Sequence, residues 1–264
     1  MRGNPEIDLE KPSVLVIGLG TVGKAVRKVF SWADAYDKYK GAGGYIEDKT
    51  YDFAFICVPT PSTENASCDL TAVMEAVTET DAEILVLKST VTPGTTKMLR
   101  KGMGKRIVFS PEFYGRTQHS PGPLESGYVI LGGEEEDTKA VANLYQHVFR
   151  NEDWIAQTDS TTAEMVKYMV NSYLAMKVVF GNEFYRVAER VGVNYQELRQ
   201  LVTLDKRVSP QNLFVYEEAP YYDSKCLNKD VPAFVDFAEN FYPADLMRAV
   251  HEINQKFMEE EGEN

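Results

Sequence analysis

The chain has 264 residues, of which 44% are hydrophobic, so it is long enough for one large domain or for two smaller domains with a core each. It carries 40 acidic and 28 basic residues, which give a formal net charge of −12. A surface this negative repels phosphate backbones and argues against nucleic acids and anionic membranes as partners.

The cysteines and the N-terminal residues favour a cytoplasmic protein. Cys57, Cys68 and Cys226 form neither an even set nor a CxxC pair, which is typical of reduced thiols. Cys57 closes an apolar run and is expected in the core, whereas Cys68 is expected in a loop. The N-terminal residues lack the apolar core of a signal peptide, and no apolar run approaches the length of a membrane span.

Apolar runs alternate with helix-compatible segments in the first part of the chain. The run VLVI at 14–17 predicts a short buried strand, followed by a glycine-rich turn and a helix. Further predicted strands lie at 53–58, 84–88, 107–109 and 129–131, a last strand lies near 153–156, and predicted helices include 71–80 and 138–149. Continuous apolar strands that alternate with helices are typical of a parallel sheet covered on both faces. We therefore predict an α/β fold, a Rossmann-type doubly wound parallel sheet, over residues 1–158.

A different pattern begins near residue 159. Thr161 and Glu164 fit a capping box at the start of a helix. Apolar residues then recur in steps of three and four, at Met165, Met169, Tyr173, Met176, Phe180, Phe184, Val187 and Val191. This spacing predicts one helix of roughly 45 Å that runs to about Gly192. Residues 159–264 are thus predicted to form a mainly helical domain, whose long central helix pairs with its copy in a homodimer.

Three glycines follow the first strand directly. Gly18, Gly20 and Gly23, with Thr21 and Val22 between them, let the chain turn tightly and let the backbone approach a pyrophosphate at the N-terminus of a helix. A glycine-rich turn without a ligand is the alternative. The strand–turn–helix context favours a dinucleotide site.

An acidic residue about 20 positions after the first glycine is expected to hold the ribose hydroxyls of the dinucleotide. Asp37 fits this distance, and Asp34 is a second candidate. Because an acid at this position disfavours the extra phosphate of NADP, we predict NAD as the cofactor.

Two further features suggest chemistry on a carbonyl or alcohol. Lys167 and Asn171 project from one face of the long helix, where a desolvated lysine can act as an acid or base or stabilise an oxyanion. An exposed lysine on a solvated face is the alternative. Cys226 lies in the polar run YYDSKCLNKD, unlike a structural cysteine. As a nucleophile it could add to an aldehyde and form a thiohemiacetal, which becomes a thioester once it loses a hydride.

Several stretches share their order and spacing with one family. They are GLGTVGKAV (18–26), CVPTPS (57–62), LKSTVTPGTT (87–96), SPEFYGR (110–116), AEMVKYMVNSYLA (163–175), LDKRV (204–208) and CLNKD (226–230). Together they resemble the UDP-glucose/GDP-mannose dehydrogenase family. The resemblance implies an NAD domain, a helical domain with a dimer helix, and oxidation of the C6 alcohol of a nucleotide sugar, such as a UDP-sugar, to a carboxylate with two NAD molecules.

The resemblance also assigns roles to individual positions. The nucleophile is Cys226 with Asp230 as its partner, Lys167 stabilises oxyanions beside Asn171, and Thr90 and Glu112 complete the catalytic set. The substrate is bound by Lys167, Asn171 and Arg207, the last of which reaches toward the neighbouring subunit. The cofactor site extends from the glycine turn and Asp37 to Val58, Pro59, Thr60, Ser89 and Thr90. No metal is expected.

Three features depart from the family pattern. Arg116 stands where the family has a second glutamate, and a guanidinium cannot serve as the base for thioester hydrolysis. Residues 221–225 replace a glycine-rich approach to the cysteine, so their side chains are expected in space that the sugar needs or against a different substrate. The chain ends fewer than 40 residues after Cys226, so the C-terminal nucleotide-sugar domain is expected to be missing.

Two other functions therefore stay open. A β-hydroxyacid-type dehydrogenase would use Lys167 and Asn171 for a single hydride transfer and would need neither Cys226 nor a thioester. A non-catalytic NAD-binding or dimerising module would need no substrate, and a partner chain could also supply the missing domain.

Overall fold

The computed structural model describes residues 12–41, 43, 49–63, 66–113, 127–149 and 154–262. Contacts between residues divide this part of the chain into two compact units. The first unit takes the residues up to Pro61 and Cys68–Lys167, and the second takes Ser62–Ser67 and the residues from Tyr168 onward. The division falls inside one long helix, and the domain boundary predicted at residue 158 stays a prediction.

The first unit is built on a seven-stranded sheet. Its strands are β1 (Val14–Ile17), β2 (Asp34–Tyr36), β3 (Tyr51–Ile56), β4 (Ala82–Leu87), β5 (Ile107–Phe109), β6 (Tyr128–Gly132) and β7 (Trp154–Thr158). Their order in the sheet is β2-β1-β3-β4-β5-β6-β7. The chain passes from β1 to one side and then returns to the other, so a topological switch point lies between β1 and β3. Ligands of open α/β sheets bind at the carboxyl ends of the strands at such a point.

The described residues form eight helices. They are α1 (Thr21–Val29), α2 (Thr71–Glu79), α3 (Thr95–Met103), α4 (Glu135–Gln146), α5 (Ser160–Val191), α6 (Tyr195–Val202), α7 (Leu227–Glu239) and α8 (Asp245–Gly262). The long helix α5 has 32 residues, as the apolar spacing predicted.

Both faces of the sheet are buried, which explains why its central strands are apolar throughout. In β1, Val14 and Val16 pack into one core cluster, whereas Leu15 and Ile17 pack into a second cluster. Successive side chains of a strand point to opposite faces, so two clusters require helices on both sides of the sheet. The predicted fold class, a Rossmann-type sheet followed by helices with a long central one, is confirmed.

One strand pairing differs from the prediction of a parallel sheet. β5 and β6 run antiparallel and pair through Phe109 and Gly132, whereas β6 and β7 pair in parallel. The remaining neighbours, β1 with β2 and β3, β3 with β4, and β4 with β5, are parallel. The apolar run at 129–131 could not show this, because a buried run carries no signal of strand direction.

The capping box predicted at Thr161 and Glu164 is wrong. α5 begins at Ser160, and the carboxylate of Asp159 accepts hydrogen bonds from the Thr162 amide at 3.0 Å and from the Thr162 hydroxyl at 2.5 Å. A cap two residues earlier was already available in the sequence, since aspartate is at least as good an N-cap residue as threonine.

The carboxylate of Glu164 binds the N-terminus of a different helix, α3. It accepts hydrogen bonds from the amides of Gly94 (2.5 Å) and Thr96 (2.8 Å) and from the Thr96 hydroxyl (2.6 Å). Glu164 is fully buried, and these donors are amides and a hydroxyl that α3 leaves without partners in its own first turn. Glu164 therefore fixes the start of α5 against α3.

The second unit has its own apolar core. Ala175 and Val179 of α5 cluster with Val231 of α7 and with Val250 and Phe257 of α8. The stripe predicted along α5 lies outside this core apart from Met176, which packs against it. Its exposed members are Met165, Met169, Tyr173, Phe180, Phe184, Val187 and Val191, of which Met169 is 75% exposed.

Candidate functional site

The glycine turn joins β1 to α1 as the sequence predicted. Gly18 has a φ of +87°, which favours glycine, and a Cβ there would lie 2.7 Å from the carbonyl oxygen of Cys57. A Cβ on Gly23 would lie only 1.8 Å from the carbonyl oxygen of Gly18. Glycine at these two positions lets α1 pack closely against the ends of β1 and β3.

Gly20 has a different environment. No described atom would lie within 4 Å of a Cβ on Gly20, so protein packing does not require glycine there. Gly20 is also the N-cap residue of α1, and no described side chain caps the helix. The amides of Thr21 and Val22 thus begin a helix whose positive N-terminal end is open to a ligand. This arrangement fits the pyrophosphate of a dinucleotide.

Asp37 follows β2 and contacts the glycine turn. Its carboxylate accepts hydrogen bonds from the amides of Leu19 (2.7 Å), Tyr39 (3.1 Å) and Lys40 (3.1 Å), and the Lys40 amine lies 3.6 Å away. Burial by itself raises the pKa of Asp37, but these amides and the Lys40 charge outweigh it and hold the pKa below its ordinary value. Asp37 is therefore an ionised acceptor at the carboxyl end of β2.

Asp34, the second candidate, lies at the opposite end of β2. It pairs in register with Leu15, and its carboxylate accepts hydrogen bonds from the Tyr51 hydroxyl at 2.8 Å and from Lys49 at 3.2 Å. The Tyr51 hydrogen bond and the Lys49 charge lower the pKa of Asp34. Because the glycine turn is at the carboxyl end of β1, parallel to β2, the structure favours Asp37.

The loops after β3 and β4 hold the other predicted cofactor residues, at the same edge of the sheet. The Ser89 hydroxyl donates to the carbonyl of Val58 at 2.6 Å, and the Thr60 hydroxyl donates to the carbonyl of Thr90 at 2.7 Å. Pro59 lies between them and is exposed. These hydrogen bonds tie the two loops together beside the glycine turn.

Glu112 follows β5, and its carboxylate faces the interior of the first unit. One oxygen lies 3.1 Å from the amine of Lys88, and the other accepts the Phe113 amide at 3.3 Å. The Lys88 amine also donates to the Ser110 hydroxyl at 3.2 Å, and the side chains of Lys88 and Glu112 are 1% and 2% exposed. Burial alone lowers the pKa of Lys88, but the Glu112 charge more than reverses this and raises it.

Sequence reasoning did not single out Lys88. The lysine that ends the apolar run ILVLK was a signal, since a charge next to a buried strand needs a partner.

Cys57 is influenced by the same two charges, Lys88 and Glu112. Cys57 is half-buried and packs against the core cluster, and burial raises the pKa of its thiol to about 12. Cys68, expected in a loop, is a buried thiol.

Lys167 lies on the third turn of α5 and is buried. Its amine donates to the carbonyl oxygen of Glu112 at 2.6 Å and lies 5.0 Å from the centre of the Phe113 ring. The alternative of an exposed lysine on a solvated face is therefore wrong. Desolvation and a fixed hydrogen bond are what a lysine needs to act on an oxyanion.

In the second unit, the structure brings Asn171 and Asp230 together. The Asn171 amide nitrogen donates to the Asp230 carboxylate at 2.5 Å, and Lys229 pairs with the other carboxylate oxygen. Cys226 is exposed at the N-cap position of α7, one turn before Asp230, whose amide donates to the Cys226 carbonyl at 2.7 Å. The thiol and its predicted partner are thus held on one helix end.

The segment that replaces the glycine-rich approach to Cys226 is tied to α8. The buried side chain of Asn254 accepts from the Tyr222 amide at 2.8 Å and donates to the Tyr222 carbonyl at 3.0 Å. The Tyr222 ring packs into the core of the second unit and is 4% exposed. The expectation that this side chain stands in the way of a sugar is therefore wrong for Tyr222.

Arg207 gains no contact among the described residues that bears on its predicted role. Arg207 is exposed and binds Asp205, its neighbour two residues earlier, at 2.6 Å. Its reach toward a second subunit stays a prediction. Arg116 lies outside the described residues.

No helix among the described residues combines the length and apolar character needed to cross a membrane. In the same part of the chain, the His, Cys, Asp and Glu side chains form no group of three suited to a metal ion.

Comparison with known protein families shows to which family this chain belongs. Residues 44–150 match the NAD binding domain of the UDP-glucose/GDP-mannose dehydrogenase family, and residues 161–256 match the central domain of that family. The chain belongs to the UDP-glucose/GDP-mannose dehydrogenase family. The predicted family and its NAD-binding domain are thereby confirmed. The glycine turn precedes the matched residues and rests on its own geometry.

Proteins similar to this chain include dehydrogenases of two different UDP-sugars. A UDP-N-acetyl-D-mannosamine dehydrogenase of Methanococcus maripaludis is 28% identical over 95% of this chain and 56% of its own length. A UDP-glucose 6-dehydrogenase of Rickettsia typhi is 30% identical over 78% of this chain and 49% of its own length. The chain spans about half the length of the curated relatives it matches.

Solved structures share the fold. A UDP-glucose dehydrogenase from Pyrobaculum islandicum has a TM-score of 0.76 at 23% identity and covers 97% of this chain and 69% of its own. A 3-hydroxyisobutyrate dehydrogenase from Mycobacterium tuberculosis has a TM-score of 0.65 at 15% identity and covers 93% of both chains. At these identities the likeness concerns the fold alone.

Proposed function

We propose that this chain binds NAD and oxidises the C6 alcohol of a UDP-sugar such as UDP-glucose to the uronic acid. The observation that carries the proposal is the sheet edge where the glycine turn, Asp37 and the loops after β3 and β4 meet. Support also comes from the match of the two sequence ranges to the NAD binding and central domains of one family.

The residues at the sheet edge have separate tasks in this proposal. The open N-terminus of α1 at Gly20 binds the pyrophosphate through its amides. The ionised carboxylate of Asp37 accepts a ribose hydroxyl. The loops of Val58–Thr60 and Ser89–Thr90 border the remaining part of the dinucleotide. NAD, when bound, accepts the hydride that leaves the substrate.

The substrate chemistry is assigned to three side chains. Lys167, held by the Glu112 carbonyl, stabilises the oxyanion that develops at C6. Cys226, exposed at the start of α7, adds to the aldehyde and holds it as a thiohemiacetal, which becomes a thioester after the second oxidation. Water then cleaves the thioester. Asp230, fixed by Asn171, is the partner of the thiol.

The proposal includes a homodimer in the cytoplasm. The apolar stripe of α5 is exposed within one chain, and a second copy would cover it. Arg207, which is exposed, would reach the substrate of the partner subunit.

The test is a panel of UDP- and GDP-sugars with NAD, read by NADH formation and by mass spectrometry of the sugar product. We expect a uronic acid and two NADH molecules per sugar. Cys226→Ser is expected to stop at the aldehyde, with the first NADH only. Normal NAD binding without NADH from any sugar would contradict the proposal.

A second candidate is a single hydride transfer on a hydroxy acid. The fold of the 3-hydroxyisobutyrate dehydrogenase covers nearly the whole of both chains, and Lys167 and Asn171 suit that chemistry without Cys226. A carbonyl product, and full activity in Cys226→Ala, would favour this candidate over the first. NAD binding without turnover on either panel would favour a non-catalytic module.

A further inference from the structure

We propose that Lys88 is a positioning residue, whose buried ion pair with Glu112 fixes the peptide that holds the amine of Lys167. This inference rests on the proposed function, in which Lys167 stabilises the oxyanion. In this role the Glu112 carboxylate, held by Lys88, orients the peptide group of its own residue.

The first step is the geometry of Glu112. Its side chain is 2% exposed, one carboxylate oxygen lies 3.1 Å from the Lys88 amine, and the other accepts the Phe113 amide at 3.3 Å. Oε1 thus accepts a hydrogen bond, whereas Oε2 faces the Lys88 charge without a hydrogen bond from any described residue. A carboxylate held this way fixes the orientation of its own backbone, since rotation of the peptide would separate the buried charges.

The second step is what that backbone holds. The carbonyl oxygen of the same residue, Glu112, accepts the Lys167 amine at 2.6 Å, and the Phe113 ring lies 5.0 Å from that amine. Two amines thus act on one residue, one through its side chain and one through its peptide. The link runs from β4 through the end of β5 to α5.

The third step is why a charged pair stands at this position. An apolar pair of similar volume would be about as stable, so a buried ion pair needs a reason other than stability. The Ser110 hydroxyl accepts a hydrogen bond from Lys88 at 3.2 Å and gives the amine a directional contact beside the ion pair. Directional contacts set an orientation, which apolar packing does not.

The test compares Lys88→Met with a matched control, Lys105→Met. Lys105 is a partly buried lysine of the same unit whose amine donates to the carbonyls of Val77 and Thr80, both at 2.7 Å. It precedes β5, whereas Glu112 follows that strand. The readout is the rate at which acetic anhydride acylates Lys167, measured by mass spectrometry without substrate. The loss of the Lys88 charge should release the Glu112 peptide, and we expect the Lys167 rate to change by about fivefold or more. The control should change it by less than about twofold.

A double variant completes the experiment. Lys88→Met with Glu112→Met replaces the ion pair by apolar side chains of similar shape, so we expect it to fold about as stably as the wild type. Because apolar packing does not set the orientation of the Glu112 peptide, its Lys167 rate should stay as altered as in Lys88→Met. If Lys88→Met does not fold, Glu112→Gln asks the same question, because it removes the partner charge. The inference is overturned if Lys167 reacts at the wild-type rate without Lys88, if Lys105→Met has an equal effect, or if the double variant returns the Lys167 rate to the wild-type value.

Turnover provides a second, separate readout. Where a UDP-sugar is oxidised, Lys88→Met should lower kcat by about 10-fold to 100-fold with an unchanged KM for NAD. A chain that oxidises no sugar contradicts the proposed function, while the acylation rates still decide the inference on Lys88.

Discussion

Three glycines of the first unit differ in what a methyl group would meet, and this separates packing from ligand binding. We expect Gly23→Ala to lower the free energy of unfolding by about 3 kcal/mol or more, because its Cβ would lie 1.8 Å from the carbonyl oxygen of Gly18. Gly20→Ala should change the free energy of unfolding by less than about 1 kcal/mol. It should weaken NAD binding by roughly tenfold or more, because a methyl group there would block the close approach of the pyrophosphate to the backbone. Urea denaturation and titration calorimetry measure the two effects.

Gly102 is the control for both substitutions. It lies in α3, and no described atom would come within 4 Å of its Cβ. Gly102→Ala should raise the free energy of unfolding by up to about 1 kcal/mol, the helix propensity difference, and leave NAD affinity unchanged. Equal NAD affinity in Gly20→Ala and wild type would contradict the pyrophosphate site at α1.

The buried carboxyl of Glu164 makes a pH-dependent contribution to stability. Burial raises the pKa of Glu164 above its ordinary value of 4.5, and the hydrogen bonds from Thr96 and Gly94 oppose the rise only in part. The folded chain therefore binds this proton more tightly than the unfolded chain does. Its contribution is full below pH 4.5 and is lost as the pH rises through the raised pKa.

Glu164→Gln tests this sign. Glutamine leaves one donor of the α3 N-terminus without an acceptor, so we expect a loss of about 1–3 kcal/mol at low pH. The difference in the free energy of unfolding between wild type and variant should be larger at about pH 4 than at about pH 7. Urea denaturation at both pH values is the measurement. A difference that grows with pH would show that the pKa of Glu164 is lowered instead.

Sequence patterns predicted the geometry of the glycine turn and of Asp37 more reliably than the partners of buried polar groups. Gly18, Gly23 and Asp37 are set by local chain geometry after one strand, which the sequence displays. The partners of Glu164 and Lys88 are brought together only by packing of distant segments. Glu164 even had a plausible local partner in the capping box, and tertiary contacts with α3 override it.

At the scale of one helix, α5 has an apolar stripe that its own chain leaves exposed. We expect Phe180→Lys, at a position 53% exposed, to shift the protein from dimer to monomer, because a charge would replace an apolar contact at the centre of the stripe. Glu189→Lys, at an exposed position of the same helix, is the control and should leave the dimer intact. Analytical ultracentrifugation distinguishes the two. A wild-type monomer would contradict the dimer proposal outright.

Elements with strong periodicity were predictable from the sequence, and short or interrupted ones were not. β1 and β5 have the predicted bounds, and α5 begins and ends within about two residues of its prediction. β2 was missed because Asp34–Tyr36 is a three-residue edge strand without an apolar run. α7 was missed as well, and Pro232 inside it argues against a helix in a local pattern.

For the molecule as a whole, the two compact units give NAD binding a regional signature. NAD at about 100 times its Kd should stabilise the unit that binds it by about 2.7 kcal/mol. We therefore expect slower hydrogen exchange in β1, α1 and the loops after β3 and β4, with α8 much less affected. Mass spectrometry of peptic fragments measures this. Equal protection of both units would mean that they unfold as one.

The stripe on α5 also has a consequence for the form of any paired assembly. Each of its first five members is matched by another one 11 positions later, from Met165 with Met176 to Phe180 with Val191. This repeat corresponds to about 3.67 residues per turn, close to that of a relaxed helix, whereas a heptad would force a left-handed wind. Two such helices can pack side by side and stay almost straight along their whole length. A dimer formed through this stripe would therefore be joined by a nearly straight pair of helices instead of a left-handed coiled coil.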